Sequence, residues 1–214
     1  MVFQLDKRIV FPPPELANDD GLLALGGDLS EARLSLAYSL GIFPWYSEET
    51  PILWYSPHER FVIFPRKVKV SKTMRKTLNS GLFRITENLA FEKVIRACAE
   101  IPRADQEGTW ITAAMQKAYV GLHKAGIAHS VEVWQGNDLV GGLYGVQTGA
   151  IFSGESMFSR VSNASKAALI WLCKNKDYKL IDCQFHTEHL ESMGAEYISR
   201  EAYMKFLKPS SEFP

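Results

Sequence analysis

His129–Gln135 alternates polar and apolar residues and opens a stretch to Glu155 that turn residues break twice, and no other stretch constrains the fold as much. A period of two puts one face of a strand in a core and the other face elsewhere. Gly136-Asn137-Asp138 separates His129–Gln135 from Leu139–Gln147, and Thr148-Gly149 separates that segment from Ala150–Glu155. Two hairpin signals in succession predict an antiparallel meander. A helix started by Ser162 or Asn163 then runs to about Lys176. Leu180–Gln184 reads as a buried strand, Thr187–Met193 as a short helix stopped by Gly194, and Tyr197-Ile198 as a strand before a last helix from Ser199.

Upstream, Phe11–Pro14 must be extended, because proline fixes φ and restricts its predecessor. Gly21–Asp28 is glycine-rich, and Ser30 starts a helix that Gly41 stops. Phe43–Tyr46 is an aromatic turn, and Ile52–Tyr55 is a short strand closed by Ser56-Pro57. Phe61–Phe64 is a strand, Ser71 caps a basic helix to Asn79, Phe83–Thr86 is a strand, Asn88 caps a helix to about Cys98, and Thr112 opens another. The expected division is a small N-terminal domain, 1–59, and a larger domain, 60–214. The expected class is α+β, with a central mixed β-sheet flanked by helices. This order of strands and helices resembles the acyltransferase fold of the GNAT superfamily.

A composition 46% hydrophobic and 22% charged suffices for a packed core. The formal net charge is zero, yet the charges are unevenly placed. Acidic residues dominate up to Glu59, whereas Arg60, Arg66, Lys67, Lys69, Lys72, Arg75, Lys76 and Arg84 follow one another with no Asp or Glu between them. Such a run is either a solvated surface or a face that tracks a phosphate backbone. Cys98, Cys173 and Cys183 form no CxxC pair, which points to a reducing compartment and away from zinc. No apolar run is long enough to cross a bilayer, and Met1–Pro14 lacks the pattern of a signal peptide. The expected location is the cytoplasm.

Two segments can carry chemistry. Ile151–Phe158 ends a strand with Gly154 beside Glu155, a carboxylate suited to an amine or left simply solvated. In Leu180–Gln184, Ile181 and Cys183 share one face while Asp182 and Gln184 share the other. Two polar residues on one face of a buried strand are either a satisfied pair or a working one. Trp45, Tyr46, Trp54, Tyr55, Trp110 and Trp134 can stack a base, wall a pocket or fill a core. His186 and His189 lack further ligand spacing, no serine lies in a nucleophile elbow, and neither Gly26-Gly27 nor Gly141-Gly142 has the spacing and lysine of a phosphate loop.

Taken together, the chain resembles the leucyl/phenylalanyl-tRNA–protein transferase family. The matching stretches are Gly21–Leu29, Gly41–Trp45, Trp54–Pro57, Gly108–Thr112, His129–Trp134, Gly154–Arg160, Asn163–Lys166 and Leu180–Gln184, in the family's order over nearly the whole chain. The resemblance implies transfer of Leu or Phe, and Met less well, from aminoacyl-tRNA to proteins beginning with Arg or Lys, which marks them for N-degron degradation. It implies no cofactor, no metal and no membrane, and we expect a monomer. It implies catalytic roles for Glu155, Asp182 and Gln184, and a substrate site built from Trp45, Trp110, Leu143, Phe152, Ser153 and Leu172. The basic residues Arg66, Lys67, Lys69, Lys72, Arg75 and Lys76 would grip the acceptor stem. The chain departs from the family with Leu143 where Met is frequent and Leu172 where Phe is frequent, with a shorter stretch between Lys174 and Lys179, and with an end soon after Pro209.

An aminoacyl ester is already activated, so positioning can supply much of the rate. The family proposal lets Gln184, polarised by Asp182, draw the proton from the amine. An amide oxygen accepts hydrogen bonds but is a very weak base. The expectation is therefore that Gln184 orients the amine, Asp182 holds Gln184, and the adenosine 2′-hydroxyl shuttles the proton. Two other readings compete. An acyl-CoA N-acetyltransferase would want a glycine-rich turn where Phe158–Ser165 has none. An inactive tRNA- or peptide-binding module would not need Glu155, Asp182 and Gln184.

Overall fold

The computed structural model describes residues 2–101 and 109–207, so Gly108 and Pro209 lie outside the described residues. The N-terminal part builds a four-stranded sheet from β1 (Phe3–Leu5), β2 (Leu22–Gly26), β3 (Phe43–Pro44) and β4 (Leu53–Tyr55), in the order β1-β2-β4-β3. Helix α1 (Glu31–Ser39) is capped by Ser30, whose hydroxyl accepts the Arg33 N–H, and ends where Gly41 turns left-handed at φ 68°. The extended proline run closes into a 3₁₀ turn at Pro14–Leu16. Within glycine-rich Gly21–Asp28, Leu22–Gly26 form β2 by pairing parallel to β1 and antiparallel to β4.

The second sheet has seven strands. They are β5 (Glu59–Ile63), β6 (Arg84–Glu87), β7 (Ala128–Gln135), β8 (Asp138–Thr148), β9 (Ile151–Ser159), β10 (Leu180–Gln184) and β11 (Glu196–Ser199). Their order is β11-β5-β10-β9-β8-β7-β6. The meander β7-β8-β9 forms as the two turn signals predict, and β10 joins β9 in parallel through helix α5 (Ala164–Asn175). All other pairs in this sheet are antiparallel, so the sheet is mixed. Helices α2 (Lys72–Asn79), α3 (Phe91–Glu100), α4 (Ala113–Lys124), α6 (Glu188–Ser192) and α7 (Arg200–Leu207) complete the chain.

Packing follows strand parity. Val131 and Val133 of β7, Leu143 of β8 and Phe152 of β9 meet the apolar side of α5. Tyr144 and Val146 on the opposite face belong to a second cluster with residues of α3, α4 and the first sheet, and the Tyr144 ring meets those of Phe91 and Tyr119. On β9 the parity changes: Phe152 and Met157 pack toward α5, while Phe158 packs toward α3. The cause is a β-bulge, because Gly145 pairs with Gly154 and Tyr144 with Ser156, leaving Glu155 as the extra residue. One inserted residue flips every later side chain to the other face. Gly145 permits the kink, since a Cβ there would lie 2.2 Å from the Ser153 carbonyl oxygen. Beyond the bulge β9 continues to Ser159 because Ser156–Ser159 pair with Tyr144–Gly141 of β8.

Two expected caps differ. Asn88 does not cap α3 but sits left-handed at φ 57° and bonds β7, its Oδ1 accepting the Ser130 N–H at 3.0 Å. Asn163 is likewise left-handed, at φ 70°, with no side-chain cap. Short amide side chains tolerate that conformation, so they mark turns as readily as caps. Buried Glu132 serves the start of α3 instead, accepting the N–H groups of Leu89 and Ala90 and the hydroxyls of Thr86 and Ser130. Glu132→Ala leaves these donors without their acceptor and is expected to lower stability by about 3 kcal/mol, measured by urea unfolding.

Candidate functional site

The bulge presents Glu155 to the interior, 6% exposed. Its Oε2 accepts the Tyr119 hydroxyl at 3.2 Å, and that hydroxyl in turn touches the Tyr38 hydroxyl. Its Oε1 accepts the Gln184 amide N–H at 3.0 Å. Burial pushes the Glu155 carboxyl up to about 7; bonds from Tyr38, Tyr119 and Gln184 oppose the rise, and the Asp182 charge adds to it. Tyr38 and Tyr119 are held well above the usual phenol value by burial and then by the Glu155 charge, so both remain donors.

Gln184 ends β10 in the left-handed region, φ 62°, where the register against β5 slips. A non-glycine residue there is strained and needs support. Buried Asp182 gives it: Oδ1 accepts the Gln184 backbone N–H at 2.9 Å, while Oδ2 pairs with Arg60 Nη1 at 3.0 Å. Asp182 thus touches the Gln184 backbone, and the side-chain amide turns to Glu155. This differs from an amide polarised directly by Asp182.

A cavity of about 460 Å³ opens on Glu155. Leu143, Phe152, Leu169, Leu172 and Ile181 form its apolar wall, and Ser165, Thr187 and His189 contribute polar atoms. Cys183 lines it as an uncharged surface, because burial and then the Asp182 charge raise its thiol well above the usual value. Asp182 and Gln184 lie outside the wall and reach it through Glu155. Ser153, expected in the substrate site, is buried but not in the wall. Alternation sends it to the face opposite Phe152, toward Tyr203.

Trp45 is 37% exposed, and its ring centroid lies 5.0 Å from that of exposed Phe185, the residue after Gln184. Trp110 is buried among α3 and α4 residues, and neither tryptophan belongs to the cavity wall. Arg66, Lys67, Lys69, Lys72, Arg75 and Lys76 are all exposed; the last three lie on α2, which Met74 anchors to the apolar cluster that α5 occupies. Lys67 pairs with Glu196 at 3.1 Å, a surface contact of small energetic weight. Among the described residues no His, Cys, Asp or Glu group of three could hold a metal, and no helix is long and apolar enough to cross a membrane. His186 bonds Glu191.

Several site residues gave no sequence signal. Tyr38 and Tyr119 lie on buried helical faces and read as core. Arg60 opened the basic run and read as a surface cation, yet it is 1% exposed.

A mixed sheet flanked by helices, with a buried carboxylate facing an apolar cavity, defines an α+β protein whose site is suited to proton transfer. Residues 62–208 match the family model described as leucyl/phenylalanyl-tRNA protein transferase, and residues 27–58 match the model of its N-terminal domain. A leucyl/phenylalanyl-tRNA–protein transferase of Syntrophus aciditrophicus (strain SB) is 55% identical over 213 residues, covering 98% of this chain and 89% of the relative. That of Flavobacterium johnsoniae is 52% identical over 210 residues, covering 97% and 99%. A solved GCN5-related N-acetyltransferase from Kribbella flavida aligns with a TM-score of 0.39 at 9% identity, over 78% of this chain and 61% of that one, a likeness too loose to bear on the reaction. The protein is an aminoacyltransferase. It belongs to the leucyl/phenylalanyl-tRNA–protein transferase family.

Proposed function

We propose that the cavity beside Glu155 receives the Leu or Phe side chain of a charged tRNA, whose aminoacyl group passes to a protein beginning with Arg or Lys. The carrying observation is the apolar cavity of about 460 Å³ with Glu155 in its wall. That size accommodates a side chain with room for the ester beside it. The acceptor nitrogen attacks the ester carbonyl, the C–N bond forms, and the tRNA 3′-oxygen leaves. An α-ammonium with a pKa of roughly 7.7–8.0 must lose a proton. Glu155, pushed up to about 7, is matched to take it and return it to the leaving oxygen, a task an amide cannot perform. Gln184 bonds Glu155 and keeps its carbonyl oxygen to orient the amine. Of the substrate set Trp45, Trp110, Leu143, Phe152 and Leu172, the wall residues Leu143, Phe152 and Leu172 would receive the side chain, and Trp45, exposed outside the wall, would meet the nucleotide, with buried Trp110 framing its pocket.

The test is transfer of labelled Phe from phenylalanyl-tRNA to peptides beginning with Arg, Lys or Ala. Transfer to the first two alone supports the reading, and none to any of them overturns it. The exposed cations Arg66, Lys67, Lys69, Lys72, Arg75 and Lys76 would grip the acceptor stem without reading sequence. Charge reversal of Lys72, Arg75 and Lys76 together is expected to raise KM for every charged tRNA alike. It should also flatten the log–log salt dependence by about 2–3. An unchanged slope would reassign the patch.

Residues 1–59 and 60–214 remain our proposed domains, supported by the passage from the first sheet at Tyr55 to the second at Glu59. Three free cysteines, two of them buried, support a cytoplasmic site, and we propose that the protein acts there as a monomer on substrates of the N-degron pathway.

A further inference from the structure

Among the described residues two arginines are buried, Arg33 and Arg60, and neither belongs to the exposed basic patch. Arg60, on β5, is buried between the rings of Phe43 and Tyr203, its guanidinium carbon 4.7 Å from each centroid. Nη1 donates to Asp182 Oδ2 at 3.0 Å, and Nη2 donates to the Gly41 carbonyl. Nε has no partner, so the burial is costly and does not explain itself. The other Asp182 oxygen holds the backbone N–H of Gln184 in its left-handed turn, and the Gln184 amide holds Glu155. A continuous chain of contacts therefore runs from the segment after α1, through Arg60 and Asp182, to Gln184 and Glu155. We propose that Arg60 is a positioning residue for aminoacyl transfer: by gripping Gly41 and Asp182 at once, it fixes the turn at Gln184 and with it the pose of the amide on Glu155. This rests on the reading of Glu155 and Gln184 as the reacting site. Lysine cannot reproduce the grip, because a point charge on a flexible stem lacks the planar fork that spans two acceptors.

R60K, D182N and the double variant, assayed as full chains with phenylalanyl-tRNA and an Arg-initiated peptide, test it. R60K is expected to lower kcat by about 100-fold, the scale of an ångström-sized misplacement. Its KM for phenylalanyl-tRNA should stay within about twofold, since binding contacts are untouched. The double variant should be no slower than the slower single one, because both act on one unit. Wild-type kcat in R60K, losses that multiply in the double variant, or a change confined to KM would each overturn the proposal. Should R60K prove too unstable to assay, R60M combined with D182N removes both charges together. That pair is expected to fold and show the same loss of kcat, and full activity would count against the role. A wild-type protein that transfers nothing would instead defeat the underlying functional reading.

Discussion

Glu155→Gln is expected to cost activity and gain stability at the same time. Loss of the proton acceptor should lower kcat by about 100- to 10,000-fold. The rise in rate through pH 7 that accompanies ionisation of Glu155 should vanish, leaving only the dependence set by the acceptor amine. Stability moves the other way. A carboxyl whose folded pKa stands above its unfolded value binds its proton more tightly in the fold. The stability it contributes is full below about 4.5 and is lost as pH rises through about 7. At pH 8 the wild-type protein therefore carries a buried charge costing about 3 kcal/mol, which the neutral amide does not. Urea unfolding of both proteins at pH 4 and pH 8 reads this directly. The two should converge at pH 4 and separate at pH 8, with the variant the more stable. A variant less stable at both pH values would show that Glu155 is held for packing.

Filling the cavity should abolish transfer while sparing tRNA binding. Gly154 lines the cavity and shares the face of Phe152 before the bulge. A Cβ there meets only the Asp182 carbonyl oxygen, at 3.4 Å, so the strand accommodates a side chain. Gly154→Leu is thus expected to occupy space meant for the donor and to lower kcat/KM with phenylalanyl-tRNA by more than about 100-fold. Binding of the same charged tRNA, followed by filter retention at varied salt, should keep the wild-type slope, because that term comes from exposed lysines and arginines. Normal transfer by Gly154→Leu would place the donor side chain elsewhere.

What was legible in the sequence follows a physical division. Helix starts at Ser30, Ser71 and Thr112 could be read because a hydroxyl at a cap has one local task. Alternation in Leu180–Gln184 likewise set Ile181 and Cys183 on the cavity side and Asp182 on the other. Asn88 and Asn163 could not be resolved, since the side chain that caps a helix also stabilises a left-handed turn. The bulge at Glu155 left no mark of its own, because nothing in a strand sequence says which residue will lack a partner across the sheet. Ser153, which the resemblance put in the pocket with Phe152, precedes the bulge and faces away because neighbours on a strand point to opposite faces. The roles of Tyr38, Tyr119 and Arg60 come from contacts between residues far apart in the chain, which local periodicity does not encode.

The most direct measurement is methyl NMR with an amide-linked phenylalanyl-adenosine, which cannot transfer its amino acid. The ring of a seated phenylalanine should shift the methyl resonances of Leu143, Leu169 and Leu172 together, all three being in the cavity wall. Leucine methyls outside the wall, such as those of exposed Leu82 and Leu89, should stay in place. Saturable binding that leaves the three wall leucines unmoved would contradict a donor pocket beside Glu155.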